Sequence, residues 1–267
     1  MKRYIFFQAH PDDLELNCSQ LLHYLGIISA KEHDIRIASV TKGEFGLPGF
    51  KYDRFKGDIL AGVRTRELYA AARIHAIQPD HVDFLGYVDG LVPFSSGFVG
   101  RIAKYLNQHR PDVIVAPEGL YTWYYHKDHV NTGRAVFYVI HHGLIDFSPA
   151  LYFYNTLAPN VFFPFPAEGF RITERLIECH RTQLWLLKRM KHLVRPFAIL
   201  SGFKVRGTRY AEAYRRVYFG DDSREKNKAG PLASTFTHFY SGLPFFQAKY
   251  PQAILEQMRK ASRGSRV

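Results

Sequence analysis

Cysteine is scarce in this chain. Two stand in 267 residues, Cys18 and Cys179, far apart and in no Cys-x-x-Cys pair. That spacing argues against a disulfide framework or a thiolate zinc site and for two reduced thiols. No apolar run approaches the ~18 uninterrupted residues that suggest a membrane-spanning helix. The opening "MKRYIFFQAHPDD" is basic and apolar like a secretion signal. Its apolar run is short, however, and leads straight into acids with no small-residue cleavage site. It reads as the first strand of a cytoplasmic protein. No internal repeat is visible. Acids are sparse only in the second part: residues 171–267 hold 20 Lys+Arg against 7 Asp+Glu, a balance of +13. Residues 1–170 hold 16 against 17, a balance of −1. A basic surface favours anionic partners, whether phosphate-bearing substrates, acidic lipid headgroups or nucleic acid; the plainer reading is a solvated cationic face.

What is present is a chain able to build a core, 46% hydrophobic and 15% aromatic. Its length suits one domain, or one domain with an appendage. Short β-rich runs at 3–9, 34–41, 81–87, 112–118, 150–155 and 160–165 read as strands. Helical apolar spacing marks 14–30, 59–76, 96–109, 129–142 and 173–193, and the Gly- and charge-rich 43–58 reads as a long loop. Alternating strands and helices predict an α/β fold: a Rossmann-like three-layer sandwich, its sheet mostly parallel with helices on both faces. Ligands of such sheets lie at the carboxyl ends of the strands. A domain over 1–220 is expected, then a basic C-terminal extension over 221–267. That extension includes an exposed loop at "GDDSREKNKAGP" and a frayed basic end.

The densest clusters of ligand-type side chains are "HPDD" (10–13) and "HKDH" (126–129). They fall after the first and fourth predicted strands. Imidazole and carboxylate together suit zinc or another borderline divalent ion. A catalytic site needs three protein ligands, an open position for water, and a base that is not itself a ligand. Asp12 and Asp13 can divide these tasks, because neighbouring side chains point apart. A bound cation also relieves the repulsion between them. A histidine left over in "HKDH" can stabilise an oxyanion or protonate a leaving amine. Either motif alone has a plain reading, a helix cap for Asp13 or a polar turn for "HKDH". Their joint placement on an alternating fold is what points to a metal.

"AHPDDLE" with "HKDH" resembles the PIG-L family of zinc-dependent N-deacetylases, also called LmbE-like. "TKGEFG" (41–46), "RTRELYAAARI" (64–74), "HRTQ" (180–183) and "YAEAY" (210–214) extend the resemblance over roughly residues 3–218. It implies that His10, Asp13 and His129 bind zinc, with another divalent metal such as Fe2+ as the alternative. It implies Asp12 as general base, His126 at the oxyanion or leaving amine, and Asp128 orienting a histidine. Arg64, Asp89 and Tyr124 match positions that contact the sugar or oxyanion. "NCSQ" (17–20), "FGLPGF" (45–50) and His75-Ala76 depart from the family pattern without touching a ligand position.

The resemblance implies a zinc-dependent hydrolase. It would remove N-acetyl from an N-acetylglucosamine-type conjugate, which could be anionic, and release acetate. One alternative is an N-acyl amide hydrolase on a lipid-linked or antibiotic sugar, favoured by the aromatic run 151–166. That run also suits a core strand pair with a subunit interface, the preferred reading. Another alternative is a non-catalytic sugar- or anion-binding module. Peripheral membrane contact and homo-oligomers fit the same reading, whereas nucleic-acid binding rests only on the basic second part. Glu15 is left with no role beyond a favourable charge in a first helical turn.

Overall fold

The first strand, β1 (Lys2–Gln8), is buried on both faces along its second half. Ile5 and Phe7 face one side of the sheet and Phe6 the other, all essentially inaccessible. Ile5 and Phe7 join a cluster with Phe98, Ile102 and Leu106 of α4 (Ser96–His109) and Val136 and Val139 of α5 (Lys127–His141). Phe6 joins Leu14 of α1 (Asp13–Asn17), Leu22 of α2 (Ser19–His23), and Leu68 and Ala72 of α3 (Asp58–Ile74). Each of these buried Val, Leu, Ile and Phe side chains contributes about 1.5–3 kcal/mol. One sheet therefore carries a core on each face, the three-layer arrangement expected.

The computed structural model describes residues 1–220 and 223–241. The remaining strands are β2 (His33–Ser39), β3 (Val82–Phe84), β4 (Val113–Pro117), β5 (Ala150–Tyr154), β6 (Val161–Phe165) and β7 (Tyr210–Val217). The seven form one sheet in the order β3-β2-β1-β4-β5-β7-β6. Strands β3, β2, β1, β4 and β5 run parallel, while β7 runs antiparallel to both β5 and β6. Chain order reverses between β1 and β4, which opens a crevice at their carboxyl ends. Both "HPDD" and "HKDH" lie at that crevice. Among the described residues no helix is long and apolar enough to cross a membrane.

Several expected elements differ. The helix over 14–30 is broken at Cys18 into α1 and α2, then continues as a π turn, Tyr24–Ile28. The N–H groups of Gln20 and Leu21 at the break donate to Glu212 of β7, at 2.8 and 2.9 Å. The loop at 43–58 contains a 3-10 turn, Phe50–Phe55. The helix over 173–193 is two: α6 (Gly169–Cys179) and α7 (Leu184–Gly202), the latter running through Pro196. The break has a cause. His180 turns fully inward onto Glu15, and Thr182 gives its N–H and hydroxyl to Glu67 at 2.9 and 2.6 Å. A continuous helix could not make both contacts. Within the loop expected at "GDDSREKNKAGP", Ser223–Lys226 is helical, and Pro231–Ser241 adds a further helix to the expected extension. Its residues 221–222 and 242–267, with the expected frayed end, lie outside the described residues.

Candidate metal centre

The turn after β1 arranges its own acids. Asp13 Oδ2 accepts the backbone N–H groups of Ala9 (2.8 Å) and His10 (3.0 Å). Its other oxygen, Oδ1, is left 3.3 Å from His129 Nε2 and 3.8 Å from His10 Nδ1. Those two ring nitrogens are 3.2 Å apart. Three donor atoms from two loops thus form a triangle of 3.2, 3.3 and 3.8 Å. Zinc bonds of about 2.0–2.2 Å at tetrahedral angles place ligand atoms about 3.3–3.6 Å apart, so the triangle fits such an ion. Burial pushes the Asp13 pKa up, but His129 and His10 outweigh it and hold the carboxyl well below its ordinary range.

The far side of His10 is already committed. Its Nε2 lies 3.1 Å from both Asp89 Oδ1 and Asp128 Oδ2. Those acids face a single ring hydrogen, which assigns Nε2 as the protonated nitrogen and turns Nδ1 toward the triangle. Asp128 is held in turn by the N–H groups of Gly90 (2.6 Å) and Val92 (3.2 Å). Asp89 accepts the N–H of Phe45 at 2.9 Å. Burial would raise the Asp89 pKa; His10 reverses that and lowers it to about 2. Asp89, expected at the sugar, therefore also orients a histidine, as Asp128 was expected to do.

His126 stands beside the triangle. His10, His126 and His129 each place a ligand atom within 4.8 Å of the others. Yet the ring of His126 caps α5, its Nδ1 accepting the N–H of Asp128 at 3.3 Å. A neutral ring that accepts at Nδ1 carries its hydrogen on Nε2, which makes it a donor rather than a ligand there. Burial, then the charges of His10 and His129, lower its pKa to about 3. Tyr124 packs edge-on against His129, ring centroids 5.0 Å apart, and burial pushes its hydroxyl pKa up.

Asp12 points elsewhere. Its Oδ2 pairs with Arg64 Nη2 at 3.0 Å, and Arg64 also donates to the carbonyls of Gly43 (2.9 Å) and Pro11 (3.3 Å). Arg64, expected to contact substrate, is 2% exposed and acts as the clamp on Asp12. The Gly43 of "TKGEFG" makes room for it: a Cβ there would sit 2.1 Å from Arg64 Nη1, and φ is +65°. Burial raises the Asp12 pKa, Arg64 opposes, and the net direction is upward. His180 also acts on Asp12 and is held by Glu15, Nε2 to Oε1 2.8 Å. Burial pulls the His180 pKa down, but Glu15 more than offsets it, so the net shift is upward. The sequence reading gave this Glu15–His180 pair no role at the site. Its sequence signals were an unassigned acid at the end of "AHPDDLE" and, 165 residues away, the histidine that opens "HRTQ".

Above these residues opens a cleft of about 1050 Å³. The polar floor faces a wall from α7 and β6 that includes Phe162, Phe165, Met190, Val194 and Phe197. Part of the aromatic run 151–166 is therefore cleft wall as well as core.

Comparison with solved structures places the fold. N,N'-diacetylchitobiose deacetylase from Pyrococcus horikoshii superposes with a TM-score of 0.70 at 22% identity, over 80% of this chain and 83% of that one. The conserved protein TT1542 from Thermus thermophilus gives 0.65 at 23%, over 80% and 94%. GalB, the 4-carboxy-2-hydroxymuconate hydratase from Pseudomonas putida, gives 0.64 at 17%, over 82% and 97%. At these identities the likeness is one of fold. No curated protein matches the sequence. The family model described as GlcNAc-PI de-N-acetylase, PIG-L, matches residues 5–140. That span exceeds half of the chain and carries both "HPDD" and "HKDH", so the protein belongs to the PIG-L family.

Proposed function

We propose that this protein is a metal-dependent amide hydrolase that removes the acetyl group from an N-acetylglucosamine-type conjugate and releases acetate. The observation that carries the reading is the donor triangle of His10 Nδ1, Asp13 Oδ1 and His129 Nε2. Asp12 stands next to it, held by Arg64. His10, Asp13 and His129 would hold Zn2+, with Fe2+ as the alternative. Bound there, the cation supplies Lewis acidity to the acetyl carbonyl and to a water. Asp12 takes the proton of the attacking water, in an environment that raises its basicity. His126, neutral with its hydrogen on Nε2, donates to the oxygen that gains charge. Tyr124, which lines the same cleft, supplies its hydroxyl as a second donor. Asp12 then returns its proton to the departing amine. Asp89 and Asp128 keep His10 in the right tautomer.

The apolar cleft wall favours a second reading within the same chemistry, an N-acyl group on a lipid-linked or antibiotic sugar. Acetate release from N-acetylglucosamine conjugates, run beside longer acyl analogues, separates the two. In the same assay Asp12→Asn should keep its metal and lose about 10²–10⁴-fold in kcat. His129→Ala should lose the metal. Wild-type turnover by Asp12→Asn would end the general-base assignment. Tight sugar binding with neither metal nor turnover would favour a non-catalytic module.

A further inference from the structure

The helix that walls the cleft has a second character. Between Glu178 and Glu212 the chain carries eight Lys or Arg and no Asp or Glu. This stretch comprises α7 and the turn after it. On α7, Leu193, Phe197 and Leu200 recur at i, i+4 and i+7, so they share one stripe. All three are exposed, Leu200 at 61%. The stripe ends at Phe203, 81% exposed, beside the exposed Lys204 and Arg206. Leu193, Phe197 and Leu200 also line the mouth of the cleft.

We propose that α7 and the Phe203 turn form a docking surface for an anionic lipid bilayer, which sets the cleft mouth at the headgroup layer. Cations flanking exposed aliphatic and aromatic side chains suit such a surface, since both terms contribute. A second copy of this chain fits worse. A two-fold contact would place the acid-free stretch against itself, cation on cation. A nucleic acid would engage the cations but leave Leu193 and Leu200 without a stacking partner. The surface does not depend on the metal chemistry.

The test is flotation of the full-length protein with vesicles. Mixed phosphatidylglycerol–phosphatidylcholine vesicles are compared with phosphatidylcholine alone, over a range of salt. Binding to the anionic vesicles is expected, weakening with salt. Arg206→Gln should weaken it about fivefold, the worth of one cation near such a surface. Phe203→Ser should weaken vesicle binding while leaving hydrolysis of a soluble conjugate unchanged. Asp12→Asn should bind vesicles like the wild type, so failure of the hydrolase reading and failure of this one are distinguishable. Three results would overturn the proposal. One is no flotation with anionic vesicles. Another is tighter binding to an RNA homopolymer with Phe203→Ser silent on vesicles. The third is a dimer in sedimentation that Phe203→Ser dissociates.

Discussion

At the scale of single residues the centre is organised by division of labour between neighbours. Asp13 faces the ring nitrogens and Asp12 faces Arg64, because the turn at Pro11 separates them and each is fixed by different partners. Glu15 acts through His180, which faces the same Asp12. Glu15→Gln should therefore lower kcat about 10–100-fold with the metal retained, read by steady-state kinetics beside metal analysis. A second residue carries a pH signature away from the metal. Burial raises the Glu212 pKa from 4.5 to about 7, although Gln20, Leu21 and Tyr214 donate to it. A carboxyl whose folded pKa exceeds its unfolded value stabilises the fold most below the unfolded pKa. That contribution is lost as pH rises through about 7. Glu212→Gln should flatten the decline in stability between about pH 5 and pH 8, followed by urea unfolding at each pH.

At the scale of elements, α5 is pinned where its ligand sits. Gly133 lies one turn beyond His129, and a Cβ there would meet the carbonyl oxygen of Pro117 at 2.1 Å and the N of Gly119 at 2.7 Å. Both contacts are backbone, so the helix must move. Gly133→Ala should cost about 1–3 kcal/mol in a urea melt and weaken metal binding as His129 shifts with the helix. The same scale shows what could be read from the chain. Strands β1 to β6 announced themselves because each is a short run of adjacent apolar and β-branched residues. The break between α6 and α7 did not, because its causes, Glu15 and Glu67, are distant in sequence. Strand β7 was recognised only as a closing motif, since its partners β5 and β6 are joined to it across two helices.

At the scale of the whole molecule, acids crowd one point of a basic chain. Asp12, Asp13, Asp89 and Asp128 are all buried around His10 and its turn. A cation bound only by the native state relieves that crowding and shifts unfolding by mass action. Chelation should thus lower Tm, by the equivalent of about 4 kcal/mol where metal stood a thousandfold above its Kd. Scanning calorimetry before and after dialysis against chelator, then after adding Zn2+, checks this. The sheet has its own tie. Glu118, at the end of β4, takes two bonds from Arg215 of β7, at 2.7 and 2.8 Å, with both side chains buried. Glu118→Leu strands a buried guanidinium and should cost about 3–5 kcal/mol in urea unfolding.

The sequence by itself determined the alternation of strands and helices, the two motifs at strand ends, and the acid-poor second part. Each is a property of neighbouring residues, and local pattern suffices to write it. Tertiary structure decided the rest. It chose which nitrogen of His10 faces Asp13, set Arg64 on Asp12 and Asp89 on His10, and gave Glu15 its histidine. It also turned the stripe of α7 into both cleft wall and outer face. These depend on distances between residues up to 165 positions apart, which only the packed sheet and its crevice fix.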